Sequence, residues 1–102
     1  MARILRKDAE RLLAKVPEQL VFWCNDGKVL HDMRELADAL NSMADSTFAY
    51  HSNDYKKDFG NWVRDVIGDE KLARDLDKSP SRIEAARAVA KRLAFLTSKL
   101  AK

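Results

Sequence analysis

Between His51 and Gly68 the chain reads His-Ser-Asn-Asp-Tyr-Lys-Lys-Asp-Phe-Gly-Asn-Trp-Val-Arg-Asp-Val-Ile-Gly, and this stretch constrains the fold more than any other. Tyr55, Phe59, Trp62, Val63, Val66 and Ile67 recur at the spacing of successive helical turns, so one helix face carries nearly all the bulky apolar groups. Such a face requires a core to bury it. Lys56, Lys57, Asp58, Asn61, Arg64 and Asp65 occupy the other side, Ser52, Asn53 and Asp54 are candidate caps, and Gly68 is placed to stop the helix in a left-handed conformation. Gly60 is the anomaly, because glycine inside a helix costs roughly 1 kcal/mol against alanine. Either it permits close approach of the hairpin or a partner backbone, or it is a tolerated defect.

The flanking segments supply what this helix would pack against. Leu5, Ala9, Leu12 and Val16 make residues 2–16 an amphipathic helix, which Pro17 ends. Gln19 to Cys24 is rich in aromatic and β-branched residues and reads as a strand. Asn25-Asp-Gly27 then reads as a turn and Lys28-Val-Leu30 as the returning strand. A capping box, Asp32 with Glu35, opens a helix through Met33, Leu36, Ala37, Leu40 and Met43, and Asp45 to His51 reads as one or two further turns. Asp69 caps a short helix through Leu72, Ala73 and Leu76. Ser81 and Glu84 box the last helix, whose Ala86, Val89, Leu93, Leu96 and Leu100 form a seam.

The expected fold is therefore mainly α, four to five helices with one small β-hairpin. Trp62, Phe59, Trp23, Phe22, Leu36, Leu40, Leu93 and Leu96 should form its core. At 102 residues with 46% apolar composition the chain reads as one domain, 1–102, with a basic helix over 1–16 and a helical core over 19–100 that includes the hairpin 19–30. The longest apolar run, Leu20 to Cys24, is far short of a membrane span, no apolar leader follows Met1, and the lone Cys24 fits a reducing compartment. The expected location is cytoplasmic, without membrane association.

The run Phe22-Trp-Cys-Asn-Asp-Gly-Lys-Val-Leu30, then Leu36-Ala-Asp-Ala-Leu40, Tyr50-His-Ser-Asn53 and Lys57-Asp-Phe-Gly-Asn-Trp-Val-Arg-Asp-Val-Ile-Gly-Asp69, resembles a family of small archaeal and bacterial domains of unknown function. That family shows an apolar strand, a "DG" turn, "LxELxxAL", "YHxN", "NDFxNWIRDVxGD" and "ELA". Lys57 stands where the family usually has Asn, and Ser52 where it usually has Val. The resemblance spans about residues 20–95 and brings no activity with it.

Charge is distributed unevenly along the chain. Residues 1–16 hold five basic groups against two acidic and residues 79–102 six against one, whereas residues 17–50 hold two against six. Arg3, Lys7, Arg11 and Lys15 form a row at a spacing of four, repelling one another by a few tenths of a kcal/mol per pair. Arg87, Lys91, Arg92, Lys99 and Lys102 project about opposite the seam of the last helix, with Phe95 among them. Three readings follow from this distribution. The stripes engage an anionic partner such as nucleic-acid backbone, they are a solvated face, or they meet the acidic segment 17–50 within the chain or across a homodimer. A protein-interaction or self-association role for the last helix, anchored by Phe95, is the alternative to nucleic-acid binding.

A second cluster, His51, Asn53, Asp58, Asn61 and Arg64, comes from the central motif. Its first four members surround the start of the helix, where an anion could bind, although capping and loop hydrogen bonds explain most of them without a ligand. Tyr55, Phe59, Trp62 and Trp23 have the spacing of core residues more than of base-stacking platforms. Cys24, His31 and His51 lack the close ligand pairs of a zinc site, and Cys24 ends an apolar strand where thiols are inert. No metal, cofactor or catalytic residue is expected, and the chain reads as a binding module rather than an enzyme.

Overall fold

The nineteen-residue helix at the C-terminal end is the longest element and packs against three of the other five helices. In the computed structural model, which describes residues 3–101, the order is α1 (Arg6–Leu13), β1 (Phe22–Trp23), β2 (Val29–Leu30), α2 (Met33–Ser42), α3 (Asp45–His51), α4 (Asp58–Trp62), α5 (Glu70–Asp77) and α6 (Arg82–Leu100). The fold is mainly α, with six helices and one two-stranded antiparallel sheet among the described residues. α6 packs against α1, α2 and α5, and α4 packs against α5. Ala86, Val89 and Leu96 of the predicted seam are buried, Ala85 extends it, and Leu93 and Leu100 are partly buried at its margin.

Three of the caps read from the sequence form. Asp32 Oδ1 accepts from the Glu35 N–H at 2.9 Å, Asp69 Oδ1 from Leu72 at 3.1 Å and Ser81 Oγ from Glu84 at 3.2 Å, each satisfying a first-turn donor. The Glu35 side chain returns to the N–H of His31, one residue before the position a capping box prescribes.

The ends of the predicted elements shift for identifiable reasons. α1 stops at Leu13, three residues short of the expected end, because the chain leaves the helix for Val16 to donate to the His31 carbonyl at 2.7 Å. Gln19 and Leu20 lie in a 3₁₀ turn, Glu18–Leu20, rather than in a strand. The Leu20 carbonyl accepts from Trp62 Nε1 at 2.8 Å. The hairpin pairs Phe22 with Leu30 and Trp23 with Val29, and Gly27, with φ 95°, turns it as expected. Phe22 and Cys24 point inward, so strand alternation turns Trp23 outward; at 71% exposure it is a surface residue rather than the expected core residue.

The central stretch departs most from expectation. α3 ends at His51, as expected, but the next helix starts later than the cap candidates implied: a loop runs from Ser52 to Lys57, and only then does α4 begin. Asn53 Oδ1 accepts from the Tyr55 and Lys56 N–H groups at 2.8 and 3.1 Å, so it folds the loop instead of capping α4. Tyr55 consequently stands at the loop tip, 96% exposed, and not on the apolar face. Beyond Trp62 the helix widens into a π turn, Val63–Ile67, closed by the Gly68 N–H on the Val63 carbonyl at 2.7 Å, and Gly68, with φ 90°, ends it as predicted. Gly60 faces α5 rather than the hairpin or a partner. A Cβ there would collide with Asp77 Oδ1 and lie 3.2 Å from the Ala73 carbonyl.

Phe22, Phe48, Phe59 and Trp62 make the aromatic centre of the core. Phe22 stacks on Phe59 with centroids 5.0 Å apart and meets Trp62 edge-on at 5.7 Å. Among the described residues no helix is long and apolar enough to cross a membrane.

Candidate functional site

The polar residues of the central motif are occupied internally. His51 is buried among Phe22, Phe59 and Tyr50; its Nε2 accepts from the Asn25 N–H at 2.9 Å, and its Nδ1 therefore donates to Asp58 Oδ2 at 3.0 Å. The neutral ring thus ties the hairpin, α3 and α4 together. Asp58 also meets Lys56 at 3.3 Å and places its own carboxylate in the first turn of α4, the position an anion would need. Lys57 Nζ donates to the Asn53 carbonyl at 2.6 Å. Asn61 accepts from Arg64, whose guanidinium also reaches Asp77 at 2.6 Å and Glu70 at 3.3 Å. The Asp77 hydrogen bond leads the effects that raise the Arg64 pKa. His51, Asn53, Asp58, Asn61 and Arg64 thus all have partners within the chain.

Cys24, His31 and His51 do not converge, and no group of three or more potential metal ligands forms among the described residues. Burial, reinforced by Asp26, pushes the Cys24 thiol up to about 11, so it stays protonated at neutral pH. His31 instead bridges Glu35 at 2.8 Å and Glu18 at 3.2 Å. Its hydrogen bonds, through the side chain first and the backbone second, hold the Glu35 carboxyl below the usual range.

The basic stripes divide into two groups. Lys15 lies beyond the end of α1 and meets Asp32 and Glu35 at 3.5 Å each, which raises its pKa through the Asp32 charge first. Arg11 reaches Asp8 at 4.0 Å. Arg82 joins Asp45 at 2.8 Å and donates to the Leu40 carbonyl. Part of the acidic segment is thus met within the chain. Arg92 is the largest correction to the expected exposed face: its Nε and Nη2 hold Asp69 Oδ2 and Oδ1 at 2.7 and 3.1 Å, with side chains only 11% and 1% exposed. It sits about 100° around the helix from Lys91, which turns it toward the start of α5.

Arg3, Lys7, Arg87, Lys91 and Lys99 remain without a carboxylate partner among the described residues. Lys102 lies outside the described residues. Because α1 packs on α6, the two basic ends are neighbours, and Arg3, Arg6 and Lys99 line one hollow of about 600 Å³ with Leu5 and Ser98. Ile4 forms a wall of this hollow and also of a groove of about 290 Å³ floored by Ala88 and Phe95 and rimmed by Lys71, Asp75, Lys91 and Arg92. Phe95 is 40% exposed, with Arg92 Cζ 5.3 Å and Lys99 Nζ 5.1 Å from its ring centre. The sequence marked Phe95, but Ile4, Ser98, Lys71 and Asp75 join it only through tertiary packing and carried no local signal.

The chain matches no protein-family model, no curated protein and no solved structure. The arrangement itself is what bears on function. The hollow and the groove share Ile4, and both are lined by a mixture of cationic and apolar side chains.

Proposed function

We propose that this chain is a non-catalytic binding module that engages nucleic-acid backbone through its two terminal helices. The observation that carries the reading is the packing of α1 on α6, which gathers Arg3, just ahead of α1, and Lys99 around one hollow with Lys91 beyond the shared Ile4 wall. Arg87 extends the row one turn along α6. Cations free of internal carboxylates can neutralise phosphates without breaking the fold, and phosphate contacts of this kind need no base-reading motif. The competing use of the α6 seam for self-association is disfavoured, because Val89 and Leu96 are already buried in the chain's own core.

The test is fluorescence anisotropy with short labelled DNA across a salt series. Three or four neutralised phosphates give a log–log slope of about −2.7 to −3.6 on duplex DNA, at roughly −0.9 per contact. The charge reversals Arg87→Glu, Lys91→Glu and Lys99→Glu should weaken binding and flatten that slope. Unchanged affinity in the triple variant, or no binding even at low salt, would sink the proposal.

A further inference from the structure

The groove beside the basic hollow has a floor that backbone binding alone does not use. Phosphates need cations, yet Phe95, Ala88 and Ile4 present apolar surface in the middle of the charged rim. At about 290 Å³ the groove lies at the small end of ligand pockets, too confined for a partner helix and suited to one flat ring. Arg87, Lys91, Phe95 and Lys99 follow one another at steps of four on α6, so the aromatic ring interrupts a row of cations at one-turn intervals. Such an alternation suits a single strand, whose phosphates and exposed base faces alternate along its length.

We infer that the groove takes one unstacked base of a single-stranded nucleic acid against Phe95, while Arg3, Lys91 and Lys99 hold the neighbouring phosphates. This rests on the backbone-binding reading above and assigns it a substrate class. Asp69 fixes Arg92, which stays beside the ring as part of the wall; Lys99, with no carboxylate partner among the described residues, is free to leave the ring for a phosphate. Lys71 and Asp75, paired at 2.9 Å, place a donor and an acceptor at the rim where the edge of a base would lie. A duplex cannot use this groove, because its bases already stack on one another.

The experiment compares four labelled probes on the full chain at low salt: a short single strand, its duplex, the same strand made abasic, and poly-glutamate. The intact single strand should bind roughly five- to hundredfold more tightly than the abasic strand, the range for one stacked base. Phe95→Ala should erase that difference and leave duplex and abasic affinities unchanged, while Phe95→Trp retains it. Thermal melting of both variants confirms that they are folded. Equal affinity of the wild-type protein for single, abasic and duplex DNA would overturn the inference and leave backbone binding standing. No nucleic-acid binding at all, or preferential capture of poly-glutamate, would overturn both.

Discussion

Replacing Arg92 by methionine keeps the side-chain stem and removes the guanidinium, which isolates the worth of its bond to Asp69. The carboxylate of Asp69 would retain only the Leu72 N–H on Oδ1, and Oδ2 would be left without a partner in a side chain 1% exposed. Two charge-assisted hydrogen bonds at about 1.5–3 kcal/mol each amount to about 3–6 kcal/mol. Measurements on buried pairs that lose one partner give about 3–5 kcal/mol, so the two routes agree. Set against a total stability of about 5–15 kcal/mol, the variant should be marginal.

Urea unfolding followed by the fluorescence of buried Trp62 and by circular dichroism measures this directly. With m-values of about 1–3 kcal/mol/M the midpoint should fall by at least about 1 M, whereas Arg87→Met and Lys91→Met should change stability by no more than about 0.5 kcal/mol. Pairing Arg92→Met with Asp69→Asn keeps an acceptor for Leu72 while removing the stranded charge, so the double variant should recover part of the loss. A cost below about 1 kcal/mol for Arg92→Met, or no recovery in the double variant, would refute the assignment of Arg92 as an internal tie.

Other sites give equally direct outcomes. Gly60→Ala should destabilise by about 1–3 kcal/mol despite alanine's higher helix propensity, because its Cβ meets Asp77 and the Ala73 carbonyl; a stabilised variant in urea unfolding would contradict the close approach of α4 and α5. Cys24 should resist iodoacetamide at pH 8 in the native protein and react promptly in urea, and native reactivity matching a free thiol would disprove its burial. Glu35 has a lowered folded pKa, so its carboxylate stabilises fully above the unfolded value of about 4.3 and progressively less as pH falls through the folded value. The stability difference between the wild-type protein and Glu35→Gln should therefore shrink on acidification below about pH 4; a difference constant from neutral to acid pH would count against the His31 hydrogen bonds as its cause. Trp23→Ser should alter stability by no more than about 0.5 kcal/mol, since its ring is mostly in solvent.

The elements that could be read from the sequence are those whose signals are local. Asp32, Asp69 and Ser81 each bond a backbone N–H three residues on, and Gly68 adopts its own left-handed conformation, so cap and stop signals located α2, α5, α6 and the end of the central helix. The break between α3 and α4 was legible but the length of its loop was not: Ser52-Asn-Asp54 serves equally as a cap or as a turn, and Asn53 bonds within the loop, so α4 begins only at Asp58. Trp23 and Gly60 depended on which element covers them, and neither spacing nor composition contains that answer. Of the site, the two basic ends were legible while their adjacency was not, because it is set by the packing of α1 on α6 across most of the chain's length.

Lys91 and Arg92 show why that adjacency governs function. They are neighbours in sequence and equal in formal charge, and both belong to the stripe that helical projection draws. Both line the groove, but one residue of rotation ties Arg92 to Asp69 and leaves Lys91 without a carboxylate partner among the described residues. Neutralising both together would lower nucleic-acid binding even if the stripe bound nothing specifically, since the protein would be partly unfolded. The informative comparison is Lys91→Glu against Arg92→Met. The first should reduce the salt slope by about one contact with an unchanged melting temperature. The second should lower the melting temperature and leave the affinity of the remaining folded fraction intact. The reverse pattern would transfer the binding role to Arg92 and require the Asp69 pair to open when the ligand arrives.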